Sequence, residues 1–153
     1  MSGSLAFINL YLLEDHGGWW IVDTGLSNAQ TTQVWEDVFI NAMDGRPVLG
    51  VICTHMHPDH IGQARMITEQ FQCPLYMTRG EYYQARTFAN GSSDSHSSWI
   101  GQQFYKRAGM PADYLEQISK MWSQRASEGM SMPTLPGGYE RLVDGQVLRI
   151  GAV

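Results

Sequence analysis

Apolar and polar positions in the first part of the chain predict a strand, a turn and a second strand. Ala6 to Leu13 is almost entirely apolar, and Trp19 to Asp23 is a second run of aromatic and branched residues. Between them, Glu14 to Gly18 carries the polar and glycine residues that are typical of a turn. The pair is therefore predicted to form a β-hairpin, with His16 exposed to solvent in its turn.

Apolar residues at helical spacing follow the hairpin. Ser27 or Asn28 is suited to cap a helix that runs to about Met43. The continuous apolar run Val48 to Cys53 then predicts a buried strand, and Ile61 to Glu69 predicts a second helix. The predicted order is β-β-α-β, a loop, and α, which places the chain in the α/β (α+β) class.

Predicted helices dominate the second half of the chain. A short strand, Cys73 to Thr78, precedes a helix from Arg79 to Ala89, and the polar loop Asn90 to Ser98 follows it. Two more helices are predicted at Trp99 to Ala108 and Pro111 to Ser127. Helices are predicted throughout this region, whereas strands are predicted before and after it.

Residues 79–138 are interpreted as a helical insertion between two sheet segments. Two interpretations of its aromatic and Met content stay open, namely ordinary packing against the sheet and a lid that shapes a substrate pocket. After the insertion, Tyr139 to Ile150 is predicted to form a hairpin around a two-residue turn, Asp144-Gly145.

Composition narrows the classes of function. The 153 residues suffice for one domain with a core, and 43% apolar and 16% charged residues are globular values. A net charge of −5 argues against a nucleic-acid partner, which requires a basic surface. No stretch is long and apolar enough for a membrane span, and two cysteines make no disulfide framework. A cytoplasmic location is expected. Cys53 lies in an apolar strand and is predicted to be a core residue.

Candidate chemistry is concentrated directly after the buried strand. His55 and His57 are two positions apart, so on an extended backbone both rings point to the same side and can bind one ion. Asp59 and His60 follow Pro58, where the chain changes direction, and are placed to bind a second ion. Imidazole nitrogen with carboxylate oxygen suits zinc, and iron or manganese nearly as well.

This His-x-His-x-Asp-His run resembles the signature of the metallo-β-lactamase superfamily. The resemblance implies an αββα sandwich in which His55 and His57 bind one metal and Asp59 and His60 bind the other. It also extends to the Asp-Thr-Gly step that begins at Asp23, since the family's aspartate lies behind the metals there. Two interpretations of Asp23 stay open, a residue that orients a ligand and a plain turn former. A strand followed by a Glu-containing helix, here residues 79–89, is a further family feature.

The resemblance implies a hydrolase of small esters, thioesters or lactones that uses water activated by two metal ions. Asp59 is then also the candidate catalytic residue, because its carboxylate can orient that water. The Asp59-His60 pair resembles the thioesterase (glyoxalase II-like) and lactonase branches rather than the antibiotic-degrading branch. A flavodiiron-type oxidoreductase usually has Glu at the position of His57. No Gly-x-Ser-x-Gly sequence supports a serine hydrolase.

The chain departs from the family in the number of ligands it carries. A complete family domain has two similar halves, and the second half supplies further metal ligands. Residues 1–153 are therefore expected to be a single domain of this family that stops before its C-terminal half. The late His96 lies in a Ser-rich loop and does not match the family's third ligand. The alternative function is a non-catalytic metal-binding or interaction fragment.

Assembly is the last expectation from sequence. The strands Phe7 to Leu13, Trp19 to Val22 and Val48 to Cys53 are nearly continuous in apolar residues, which is typical of strands covered on both faces. The predicted helices Gln30 to Met43 and Ile61 to Phe71 can cover only one face. A homo-oligomer, most simply a two-fold dimer, is therefore expected, with a small molecule as the substrate.

Overall fold

The computed structural model describes residues 7–90, 99–127 and 132–151. Strands and helices alternate through most of this length, as the sequence predicts. In chain order they are β1 (Tyr11–Asp15), β2 (Gly18–Val22), α1 (Ala29–Asn41), β3 (Val48–Ile52), α2 (Pro58–Ile61), α3 (Ala64–Phe71), β4 (Leu75–Thr78), α4 (Arg79–Ala89), α5 (Trp99–Arg107), α6 (Ala112–Ser127) and β5 (Glu140–Leu142).

The five strands form one sheet in the order β1-β2-β3-β4-β5. β1 and β2 are antiparallel, with Tyr11 opposite Val22 and Asp15 opposite Gly18, which confirms the predicted hairpin but shortens its turn from Glu14–Gly18 to residues 16–17. The pairs β2–β3, β3–β4 and β4–β5 are parallel. Parallel strands direct their carboxyl ends to the same edge of a sheet, so the loop after β3 and the helix after β4 both begin at that edge.

One face of the sheet is the core. Ile21, Val51 and Leu75 lie side by side in the strand register and are at most 1% exposed. Trp35 of α1 and Ile67 of α3 are buried as well. The two helices meet through the ring of Phe39 against that of Phe71, with centroids 4.9 Å apart, so apolar helix faces cover this side, as the helical spacing predicts.

The opposite face of the sheet is apolar and partly exposed. Tyr11 and Leu13 are 54% and 38% exposed. Trp20 and Tyr76 are partly exposed on the same side, with ring centroids 5.2 Å apart. A Cβ atom at Gly50 would lie 2.4 Å from the Trp20 ring, so the glycine lets that ring lie flat on the sheet. This surface, called here the open face, is defined by Tyr11, Leu13, Trp20 and Tyr76.

The helix predicted from Ile61 to Glu69 is two helices, α2 and α3, separated at Gly62. A Cβ atom at Gly62 would lie 2.3 Å from the carbonyl oxygen of Gly25 and 2.3 Å from the amide nitrogen of Ser27. The chain therefore needs a residue without a side chain here, because two backbone segments pass in direct contact.

The predicted C-terminal hairpin is wrong in its second arm. The Asp144-Gly145 turn is present, with φ of 76° at the glycine, but residues 146–150 form no strand. β5 pairs with β4 instead, in parallel. The ring of Tyr139 stacks on Tyr82 of α4 at 3.9 Å, so β5 is directed alongside the strand that precedes that helix.

The described residues divide into two compact units, the first within the ranges 1–86 and 133–153 and the second within 87–132. The second unit contains α5 and α6, at the positions where the sequence predicts helices. Whether residues 79–138 act as a lid stays a prediction. Within the described ranges, no helix has the length and hydrophobicity needed to cross a membrane.

The close contact at Gly62 predicts different effects for two single substitutions, Gly62→Ala and Gly80→Ala. Gly62→Ala should lower the free energy of unfolding by about 1–3 kcal/mol, because the new methyl group overlaps backbone that cannot move independently. Gly80→Ala is the matched control, since Gly62 has helical backbone angles, Gly80 lies in α4, and a Cβ atom at Gly80 meets nothing within 4 Å. Its stability should stay equal or rise by up to about 1 kcal/mol. Urea unfolding measures both, and equal effects would contradict the close approach.

The open face leads us to propose self-association. A monomer rarely exposes an apolar patch above ~300–600 Å². We expect light scattering after size exclusion at micromolar concentration to give the mass of a dimer, and Leu13→Glu to reduce it to that of a monomer. Ile40→Glu on α1, where Ile40 is 76% exposed, should leave the dimer intact. A wild-type monomer that binds no hydrophobic dye would refute the proposal.

Candidate metal centre

His55 and His57 of the predicted metal motif lie on the loop between β3 and α2, at the carboxyl edge of the parallel strands, and Asp59 and His60 lie in α2 itself. β3 ends at Ile52, and Pro58 begins α2 at a position where proline is favourable because its missing N–H would have no helical partner. Asp23 lies beside this loop, one residue beyond the end of β2. Its φ of 59° is left-handed, a conformation that Asp tolerates better than most residues.

The carboxylate of Asp23 connects the two ends of the motif. Asp23 is 5% exposed. Its Oδ1 accepts the backbone N–H of Thr54 at 2.8 Å, and its Oδ2 accepts the hydroxyl of Thr54 at 2.8 Å. Oδ2 also lies 2.8 Å from Nδ1 of His60. Hydrogen-bond donors thus compensate the buried charge. These contacts support the interpretation of Asp23 as a residue that orients a candidate ligand.

The Asp23 contact determines the tautomer of His60. A carboxylate only accepts hydrogen bonds, so Nδ1 of His60 carries a proton and donates it to Asp23. Nε2 of a neutral ring then carries the lone pair. A carboxylate on one ring nitrogen is the arrangement that orients the other nitrogen toward a metal.

Thr54 extends the same effect to His55. Its hydroxyl donates its one proton to Asp23, so its oxygen accepts from Nδ1 of His55, 3.0 Å away. Nε2 of His55 is then also left with a lone pair. One buried carboxylate therefore sets the tautomers of two histidines, one by direct contact and one through a hydroxyl.

His55 and His57 form the first convergent pair. Nε2 of His55 lies 2.9 Å from Nδ1 of His57. Two nitrogens bound at 2.0–2.1 Å to one tetrahedral zinc ion lie about 3.3 Å apart, so this pair fits a cation with little movement. The pairing is the one that the two-residue spacing predicts.

Asp59 and His60 form the second pair. Oδ2 of Asp59 lies 3.7 Å from Nε2 of His60, the nitrogen that Asp23 leaves unprotonated. Across residues 7–90, 99–127 and 132–151, no group of three or more His, Cys, Asp or Glu side chains is arranged to hold a metal ion. Each pair therefore offers two ligands, and metal binding by these four residues stays a prediction.

The environment of His55 favours its neutral form. Burial lowers the pKa of His55 below its ordinary value of 6.5, and the neighbouring His60 and His57 rings lower it further. Asp23 and Glu81 act in the opposite direction with smaller effect. The neutral ring is the form that binds metal, so His55 is available as a ligand at lower pH than an ordinary histidine.

A second set of hydrogen bonds supports the far end of the motif. The N–H and the hydroxyl of Thr24 both donate to the carbonyl oxygen of His60, each at 2.8 Å. The hydroxyl oxygen of Thr24 accepts the N–H of Gln63 at 3.1 Å. The side-chain amide of Gln63 donates to the carbonyl oxygens of Leu26 at 2.9 Å and Asn28 at 3.2 Å. The Asp-Thr-Gly loop and the motif are therefore held together along their length.

The structure tests the prediction made for Cys53 but not the one made for His96. Cys53 is 1% exposed, and burial raises the pKa of its thiol, which confirms the prediction that it is a core residue. His96, the poor candidate for a further ligand, lies outside the described residues.

Two supporting residues are not predicted from the sequence. Thr54 stands directly before the first histidine of the motif, and a hydroxyl residue at that position is the one signal for its role. Glu81, the third residue of α4, accepts the backbone N–H of Met56 through Oε2 at 2.7 Å. A Glu-containing helix after this strand is a feature that the resemblance implies, but sequence alone does not show that Glu81 reaches the motif.

The chain is similar to known proteins in sequence and in structure. The model of one family, the metallo-beta-lactamase superfamily, matches residues 3–147. A crystal structure of a beta-lactamase domain protein from Burkholderia ambifaria is 34% identical, with a TM-score of 0.71 over 97% of this chain and 42% of that chain. No curated protein matches the chain.

Two more distant structures share the fold. The metallo-beta-lactamase family protein TTHA1429 from Thermus thermophilus is 21% identical, with a TM-score of 0.60 over 94% of this chain and 43% of that one. TTHA1623, solved in a di-iron-bound form, is 17% identical, with a TM-score of 0.51 over 92% of this chain and 51% of that one. The chain thus spans about half or less of the length of these structures.

The Asp23 network predicts a loss of metal affinity in Asp23→Asn. Asn tolerates the same left-handed backbone, but its NH₂ group would face the donors of Thr54 or His60. Affinity for Zn²⁺ should fall about 10- to 100-fold in competition with a chelator. Asp44→Asn is the control, because Asp44 is exposed and has a similar φ of 51°. Unchanged affinity in Asp23→Asn would contradict the orienting role.

Proposed function

The chain belongs to the metallo-beta-lactamase superfamily, and from that premise we propose that it carries the N-terminal half of the site of a hydrolase of small esters, thioesters or lactones. Membership of this superfamily suggests a metal-dependent hydrolase. The observation that carries the finer proposal is the presence of two side-chain pairs in six consecutive residues, His55 with His57 on the loop after β3 and Asp59 with His60 in α2.

The donor atoms of the two pairs suit zinc, with iron or manganese as alternatives. Three imidazoles and a carboxylate, without a thiolate, are ligands that all three ions accept. In the proposal His55 and His57 hold one ion, and Asp59 and His60 hold the other. When bound, such ions lower the pKa of water toward ~7 and polarise a carbonyl group.

The chain's own residues perform the remaining tasks of the proposed reaction. Asp23 and Thr54 keep the protons of His60 and His55 on Nδ1, so both Nε2 atoms stay available as ligands. Asp59 accepts a hydrogen bond from the attacking water and orients it. Water adds to the carbonyl carbon, the bond to the alkoxide or thiolate breaks, and the leaving group takes up a proton.

A small uncharged or weakly charged acyl compound is the substrate class that we propose. The net charge of −5 disfavours nucleic acid, and the resemblance of the Asp59-His60 pair to thioesterases and lactonases favours an acyl bond. His57 is exposed, so a substrate can approach the loop from solvent. A cytoplasmic location belongs to the same proposal, in agreement with Cys53 and Cys73 both being free thiols.

A second candidate function is a metal-binding or interaction module without catalysis. The observation that favours it is the limited number of ligands, since in the described part of the chain no three metal-binding side chains gather at one point. Catalytic zinc sites usually have three protein ligands and an open position, whereas each pair here provides two.

The hydrolase proposal predicts that His57→Ala abolishes activity. Turnover of thioesters, lactones and phosphodiesters should be measured with Zn²⁺, Mn²⁺ and Fe²⁺ on the longest natural polypeptide that carries this sequence. Loss of one imidazole removes half of the first pair, so hydrolysis should fall by at least about 100-fold. His16→Ala is the matched control, because His16 is exposed in the turn between β1 and β2, and it should keep full activity.

Metal content separates the two candidate functions. A polypeptide that holds metal but hydrolyses none of the three substrate classes would count against the hydrolase and favour the binding module. Tight binding of two equivalents per chain by residues 1–153 alone would contradict the interpretation of the two pairs as incomplete sites.

A further inference from the structure

Glu81 lies at the edge of the sheet where the metal motif begins. α4 starts at Arg79, directly after β4 ends at Thr78, and Glu81 is in its first turn. β3 and β4 are parallel neighbours, so the first turn of α4 and the loop after β3 emerge at the same edge. Oε2 of Glu81 reaches the backbone N–H of Met56 at 2.7 Å, which crosses from one element to the other.

The Met56 amide occupies a particular place in the motif. Met56 separates His55 from His57, so its peptide links the two residues whose ring nitrogens converge at 2.9 Å. Two residues earlier, the Thr54 amide is held by Asp23 at 2.8 Å. Alternate amides of the segment are therefore held by two carboxylates, one from the end of β2 and one from α4.

An acidic residue in the first turn of a helix has an ordinary explanation, since it interacts favourably with the helix dipole. That role needs no contact outside the helix. Here the carboxylate accepts a hydrogen bond from another element, and a charged acceptor makes such a bond short and strong. The contact therefore restrains the backbone between the two histidines, in addition to any effect within α4.

We propose that Glu81 is a positioning residue of the metal centre, which holds the Met56 amide so that the rings of His55 and His57 stay convergent. The inference rests on the proposed metal function of these histidines. Asp23 acts on ring tautomers, whereas Glu81 acts on the backbone between the rings, so the two carboxylates have separate tasks.

The test compares three variants of the full chain. Glu81→Ala removes the acceptor, Glu81→Gln keeps an acceptor oxygen without the charge, and Glu69→Gln is the control. Glu69 is an exposed glutamate whose carboxylate pairs with Arg65 at 2.7 Å. Two properties are measured: the amide and ring-nitrogen NMR signals of Met56, His55 and His57 in metal-free protein, and the affinity and visible spectrum of added Co²⁺.

The proposal predicts a graded result. In Glu81→Ala the Met56 amide proton should move upfield and exchange faster, the ring nitrogens should shift, and Co²⁺ affinity should fall about tenfold. Glu81→Gln should lie between Glu81→Ala and wild type, and Glu69→Gln should match wild type. Should Glu81→Ala fail to fold, Glu81→Gln decides, through the same amide shift and a smaller loss of affinity.

Two outcomes would overturn the inference. Unchanged Met56 and ring signals in Glu81→Ala would show that the contact does not restrain the loop. Changed signals with unchanged Co²⁺ affinity and spectrum would show that the restraint does not position ligands. If the wild-type chain binds no Co²⁺, the proposed metal function fails, and the ring signals of the metal-free variants still decide whether Glu81 holds the pair.

Discussion

The structure depends above all on the buried carboxylate of Asp23. A charged group that is 5% exposed is stable only when donors replace its water, and Thr54 and His60 provide them. The end of β2 and the motif after β3 therefore stabilise each other, since each supplies hydrogen-bond partners for polar groups of the other. The same contacts set the protons of His60 and His55, so a requirement of folding and a requirement of metal chemistry are met together.

Hydrogen bonds from three directions restrain the motif, although part of it is exposed to solvent. Asp23 holds its beginning, the Thr24 hydroxyl and amide hold its end at His60, and Glu81 holds the peptide between the first two histidines. The absence of a side chain at Gly62 lets the Asp-Thr-Gly loop approach closely enough for these bonds. Sites with such supporting shells are the ones that keep ligands within small tolerances.

In the described part of the chain, two features lack partners that such features usually have, namely the two ligand pairs and the open face of the sheet. Each pair provides two protein ligands, while a catalytic zinc ion usually has three, so a complete site would take further ligands from elsewhere. In the same way Tyr11 and Leu13 leave apolar surface exposed that another layer would cover. The three structures compared above have chains about twice as long, of which this one spans 42–51%.

The sequence by itself determined the strands, the main helices and the pairing of His55 with His57, because hydrophobic period and i, i+2 spacing are local properties. Only the tertiary structure decided which distant groups complete the site. Asp23 is 31 positions from Thr54 and 37 from His60, and Glu81 is 25 from Met56, so strand order alone brings them together. The turn predicted at Asp144-Gly145 is present, but its local signal does not show that β5 pairs with the distant β4 or that residues 146–150 form no strand.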